Sequence, residues 1–128
     1  FLWLAHGAYD EDEVRCRYEL ADDKTCVWDY DVHVEPQYRI GRSFARLWDA
    51  ANGHLAPRGY RWSISRISAY NPASLSAHGR LGIRTLSSAT FLCLGPLQIS
   101  LLSASPYVHV SMSDASRPTL RLRAPVAD

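Results

Sequence analysis

Between Asp29 and Ser43 the chain reads Asp-Tyr-Asp-Val-His-Val-Glu-Pro-Gln-Tyr-Arg-Ile-Gly-Arg-Ser. Two kinds of chemistry lie side by side there. Asp29, Asp31, His33 and Glu35 fall two apart, so in an extended strand they share one face. Such a face attracts a cationic amine and carries groups able to take a proton from it. Asp31 or His33 is the expected base, or the anchor of a water that acts as one. The loop Gln37 to Ser43 that follows suits anion binding. Gly41 lets a ligand approach the backbone, two arginines bring charge, and Ser43 brings a hydroxyl. Where such a loop opens a helix, the first N–H groups lack intrahelical partners and point at the anion.

Other chemistries find less support. His6, His54 and His109 are not in ligand spacing, and HExxH, GxSxG and P-loop patterns are missing, so no metal site is expected. Cys16, Cys26 and Cys93 form no CxxC pair and are expected as buried thiols in a reducing, cytoplasmic setting. A net charge of +1, with Arg117, Arg121 and Arg123 as a mild cluster, does not favour nucleic acid. No apolar run is long enough for a membrane helix, and the opening segment lacks the basic start of a signal peptide.

The elements that must position these groups follow from periodicity. Phe1 to His6 and the alternating Val14 to Leu20 predict an antiparallel hairpin, with Ala21 to Lys24 as the next turn. Cys26 to Glu35 alternates again, which predicts a strand with one apolar and one polar face, stopped by Pro36. From Gly41 the period changes. Phe44, Leu47, Trp48, Ala51 and Leu55 make one helical face, closed by Pro57 and Gly59. The strand at Tyr60 to Tyr70 completes a βαβ unit, so it should run parallel to the first by a right-handed crossover. Asn71 and Pro72 predict the start of a second helix, and Gly82 its end. Two apolar runs around Gly95 and Pro96 predict an antiparallel strand pair. Tyr107 to Met112 is a further candidate strand, and Asp114 to Asp128 a loosely held tail.

This order, with "VHVEPQYRIGRSFARLWDAA" followed by "SISRISAYNPASLSAHGRLGI", resembles the core of the GNAT acetyltransferase superfamily. The resemblance covers about half of the chain, and the order of elements extends it. It implies an α+β fold: a central mixed sheet of about six strands with two main helices, entered after the family's N-terminal strand and helices. Residues 1–103 would be the acetyltransferase-like domain and 104–128 a C-terminal strand and tail. It further implies an N-acetyltransferase that moves an acetyl group from acetyl-CoA to an amine by direct attack in a ternary complex. No cysteine falls in the motifs, so no covalent acyl-enzyme is implied.

By the same resemblance, coenzyme A's pyrophosphate would lie at Arg39, Ile40, Gly41, Arg42 and Ser43. The backbone of His33, Val34 and Glu35 would hold the pantetheine arm, and Asn71 would contact the cofactor. His78 stands where the family usually has a tyrosine as general acid, and the Arg/Gly loop is shorter than usual. Two other readings remain open: a non-catalytic CoA-binding module of the same fold, and a small α+β interaction domain that pairs with a twin. The acceptor would be a small-molecule or protein amine, and a homodimer is allowed.

Overall fold

Among the described residues this pattern gives rise to thirteen short elements, nine of them strands. The structure, a computed structural model, describes residues 1–126. By closeness in space the chain divides into two compact units, each made of two separate segments: Phe1–Ala5 with Lys24–Arg84, and His6–Asp23 with Thr85–Asp128. The class is mixed α+β. Among the described residues the strands form three sheets of three, rather than a central sheet of about six.

The first unit is the βαβ part. Strand β1 (Trp3–Ala5) pairs antiparallel with β4 (Cys26–Tyr30), and β5 (Trp62–Ser65) pairs parallel on the other side of β4. Helix α1 (Ser43–Leu55) connects β4 to β5, and its expected apolar face buries Trp48 and Leu55. Helix α2 (Pro72–Gly79) starts where the sequence says. The Asn71 side chain accepts from the Ser74 N–H at 3.0 Å, which satisfies one orphan donor of the first turn. As the middle strand, β4 has both faces covered. Cys26, Val27, Trp28 and Asp29 are all buried, where alternation predicted a polar, open side.

The second unit is built from strands. Strand β2 (Ala8–Asp10) pairs antiparallel with β3 (Arg17–Leu20), and β3 pairs parallel with β9 (Thr119–Leu122). The expected hairpin therefore uses Ala8–Asp10. The opening run is divided at Gly7, whose φ of 79° turns the backbone so that Trp3–Ala5 joins another sheet. Strands β6 (Ala89–Leu94), β7 (Leu97–Leu102) and β8 (Val108–Ser111) make an antiparallel meander. Gly95, at φ 57°, and Pro96 form its two-residue turn, as expected.

The expected tail differs from what forms. Leu120 and Leu122 in β9 are core residues, so this segment is an integral strand. Residues 127 and 128 of the predicted tail lie outside the described residues. Cys16 and Cys26 are buried as expected; Cys93 is exposed on β6.

Candidate functional site

Strand β4 ends earlier than alternation predicted. Its ladder with β1 pairs Ala5 with Trp28, Leu4 with Asp29 and Trp3 with Tyr30. Continued, it would pair Phe1 with Val32. Instead Phe1 exchanges hydrogen bonds with His33: the Phe1 nitrogen donates to the His33 carbonyl at 2.8 Å, and the His33 N–H to the Phe1 carbonyl at 2.9 Å. One residue has been inserted. Asp31 supplies it, with a left-handed φ of 49°. This is the geometry of a β-bulge, which bends its strand and interrupts pairing.

On the other side of β4 the parallel ladder stops at Asp29 opposite Ser65. Past that point Val32 to Glu35 is irregular, and the N–H groups of Val32 and Val34 donate no hydrogen bond within the described residues. The expectation that His33, Val34 and Glu35 lie in the strand is thus corrected. They lie beyond it; His33 is paired with Phe1 and the carbonyls of Val34 and Glu35 are taken by Arg39 and Tyr38, so only N–H groups such as those of Val32 and Val34 are left for an extended ligand.

The segment between strand and helix is ordered by its own bonds. Pro36–Tyr38 makes one 3₁₀ turn, closed by the Tyr38 N–H on Glu35 at 2.8 Å and the Arg39 N–H on Pro36 at 3.2 Å. The Arg39 guanidinium donates through Nε to the Val34 carbonyl at 2.7 Å. Arg39 therefore braces the loop, a role that its position did not suggest. Ile40, Gly41 and Arg42 are exposed, and Gly41 takes φ 111°, a conformation that suits glycine.

Arg42 is the N-cap of α1, without a side-chain cap. Its carbonyl accepts the Arg46 N–H at 2.8 Å. The N–H groups of Ser43, Phe44 and Ala45 have no protein acceptor among the described residues. These donors, with the dipole behind them, fit a phosphate-bearing group on chemical grounds.

The candidate acid and base groups occupy different settings. Asp31 is exposed at the bulge. His33 stacks on Phe1, with ring centroids 5.4 Å apart, and its Nε2 lies 3.5 Å from Glu35 Oε1. His78 is only 5% exposed and packs edge-on to Phe44 and Trp48 of α1. Its Nδ1 is 2.8 Å from the Ser74 carbonyl, so the proton belongs on Nδ1. Its buried Nε2 has no hydrogen-bond partner among the described residues.

Asp29, expected on the open polar face with Asp31, His33 and Glu35, is buried instead. It is 2% exposed, and its carboxylate accepts from the hydroxyls of Ser63 and Ser65 across the parallel ladder. The Ser-x-Ser of β5, two apart like the register it meets, was the signal that could have found this pair. Asn71 serves α2 as its cap and is itself exposed.

No protein-family model matches this chain, and comparisons with curated proteins and with solved structures found no match either.

Proposed function

We propose that the chain is an N-acetyltransferase of GNAT type that uses acetyl-CoA and an amine acceptor. One observation carries the reading. The unpaired end of β4, the end of the parallel β4–β5 ladder and the uncapped start of α1 belong to one βαβ unit. In open parallel sheets, the carboxyl ends of the strands are where ligands of this kind bind.

The Ser43, Phe44 and Ala45 amides, with Gly41 and the exposed Arg42 beside them, would take the pyrophosphate. Arg39 and Ile40 shape that loop. The open N–H groups of Val32 and Val34, flanking His33 and just before Glu35, would align the pantetheine arm, and Asn71 would fix the start of α2 nearby in the chain. Bound there, acetyl-CoA supplies a thioester whose carbonyl an amine can attack. His33 is the better-supported base, because Glu35 is placed to orient its ring and stabilise the proton it takes. Asp31, exposed at the bulge, would draw the amine in.

A second reading keeps the cofactor and drops the reaction. The burial of His78, with Nδ1 turned to the Ser74 carbonyl, favours a CoA-binding module without a general acid at that position.

Calorimetry with acetyl-CoA tests the binding. Arg42→Glu should weaken it about tenfold or more, the scale of one charge-assisted contact reversed. Neither heat nor a thermal shift at millimolar acetyl-CoA would sink both readings. Thiol release with a panel of amines separates them: turnover that falls in His33→Ala supports the enzyme, and binding without turnover supports the module.

A further inference from the structure

The β6–β7–β8 meander is turned inside out relative to the usual amphipathic sheet. Opposed residues and residues two apart share a face, so the register sorts the side chains into two sets. On one face Gln98 stands opposite Cys93 and Ser111, and Ser100 opposite Phe91 and His109. Gln98, Ser100, Ser111 and Leu102 on that face are buried. On the other face Leu92, Ile99 and Val110 lie in one row, and Thr90, Leu101 and Val108 in the next. Leu94 continues that face at the end of β6, and Met112 follows in alternation after β8. Leu92, Leu94, Leu101, Val108, Val110 and Met112 are 43–70% exposed. The aliphatic half of the alternation is the outer half.

Register explains why the sheet does not simply turn over. A shift by one residue would exchange the faces. Gln98 prevents it: its Oε1 accepts the Arg15 N–H at 2.8 Å and its Nε2 donates to the Arg15 carbonyl at 2.8 Å. The outer face is therefore a consequence of how the unit is built, and it calls for a cover of its own.

We infer that this face packs against the same face of a second copy of the chain. No Asp, Glu, Lys or Arg occurs between Arg84 and Asp114, so the surface carries no charge that requires a differently built partner. A two-fold interface must be complementary to itself, and rows of Leu, Ile and Val on a sheet meet that condition. Two sheets so stacked interlock their side chains about 10 Å apart. The six side chains present on the order of 500 Å², at the upper end of what a monomer leaves open in one patch. Two faces together hide on the order of 1,000 Å², which reaches the size of a specific interface. The pairing does not depend on acyl transfer.

Sedimentation velocity of the chain over a range of concentrations tests this. A monomer–dimer equilibrium is expected. Leu101→Lys, on the central strand of the face, should raise the dissociation constant about a hundredfold or more, the scale of an unpaired charge buried in an interface. If the circular dichroism of that variant departs from the parent, Leu94→Lys, at the open end of β6, carries the same test. A chain that stays monomeric at every concentration overturns the inference. So does a dimer that neither lysine weakens, since it would be held elsewhere, or a monomer that instead sediments with neutral phosphatidylcholine vesicles.

Discussion

Each unit buries a polar side chain that ties two of its parts together, Asp29 in the first and Gln98 in the second, and the two do so differently. Asp29 in the first unit is an acceptor only, so it requires donors, and Ser63 and Ser65 supply them from the neighbouring parallel strand. Gln98 in the second unit both donates and accepts, so it can imitate a strand. It closes on the N–H and carbonyl of Arg15, which has no such partner in a ladder. The first device ties two adjacent strands side chain to side chain. The second ties a sheet to the loop before β3 through the backbone. A side chain that replaces a ladder bond fixes register as well as packing, and this is how the β6–β8 meander comes to show its aliphatic face outward.

The contrast can be broken most sharply at Gln98. Gln98→Leu keeps the volume and strands both Arg15 groups. A loss of about 2–4 kcal/mol in urea unfolding is expected, one to two for each buried group left unpaired. A loss within error would mean that water replaces the amide, and that register is set elsewhere. Asp29→Asn should cost less, about 1–2 kcal/mol, because hydroxyls rotate and can accept from the new amide. An Asp29→Asn effect larger than that of Gln98→Leu would reverse the comparison.

The smallest effect belongs to the surface of the second unit. Arg17 donates to Asp10 through Nε and Nη2, both at 2.7 Å, across the β2–β3 pair. The hydrogen bond from Arg17 is the main cause that holds the Asp10 carboxyl below its ordinary value of 3.8, with the charges of Arg17 and Arg117 adding to it. A carboxyl whose pKa is depressed by folding contributes stability above pH 3.8 and loses it as the pH falls through the lower, folded value. Asp10→Asn should leave stability unchanged at the acid end and lower it slightly near neutrality, as followed by thermal unfolding against pH. A pair this exposed is worth little in either case.

The parts of the molecule fixed by local rules were legible in the sequence. The spacing of Phe44, Leu47, Trp48, Ala51 and Leu55 gave α1, Asn71 and Pro72 gave the start of α2, and the strand–helix–strand order gave the parallel pairing of β4 with β5. What escaped was decided by residues far apart in the chain. Alternation runs on through His33 to Val34, yet the strand stops at Tyr30, because the backbone at Asp31 turns left-handed and pairing resumes one residue out of step. Thr119–Leu122 looked like a tail between Pro118 and Pro125, because its partner lies at Arg17–Leu20. At the candidate site, Gly41 and the arginines marked the loop before α1 as a candidate, and the glycine's positive φ is there. That Arg39 is spent on the Val34 carbonyl, and that His78 lies beneath Phe44 and Trp48, required coordinates, since a helix as short as α2 has too few turns to declare which side it buries.

The parallel pairing of β3 with β9 also sets an order of assembly. During synthesis residues 17–20 leave the ribosome first, and their neighbour arrives only with residues 119–122. Until then the outer edge of β3 stays open, whereas the β4–α1–β5 unit, with α2 packed on α1, is complete once residue 84 has emerged. Closing so long a loop is slow compared with local pairing. The helical unit is therefore expected to form while the chain is still growing, and the strand-built unit to be completed only by its last strand.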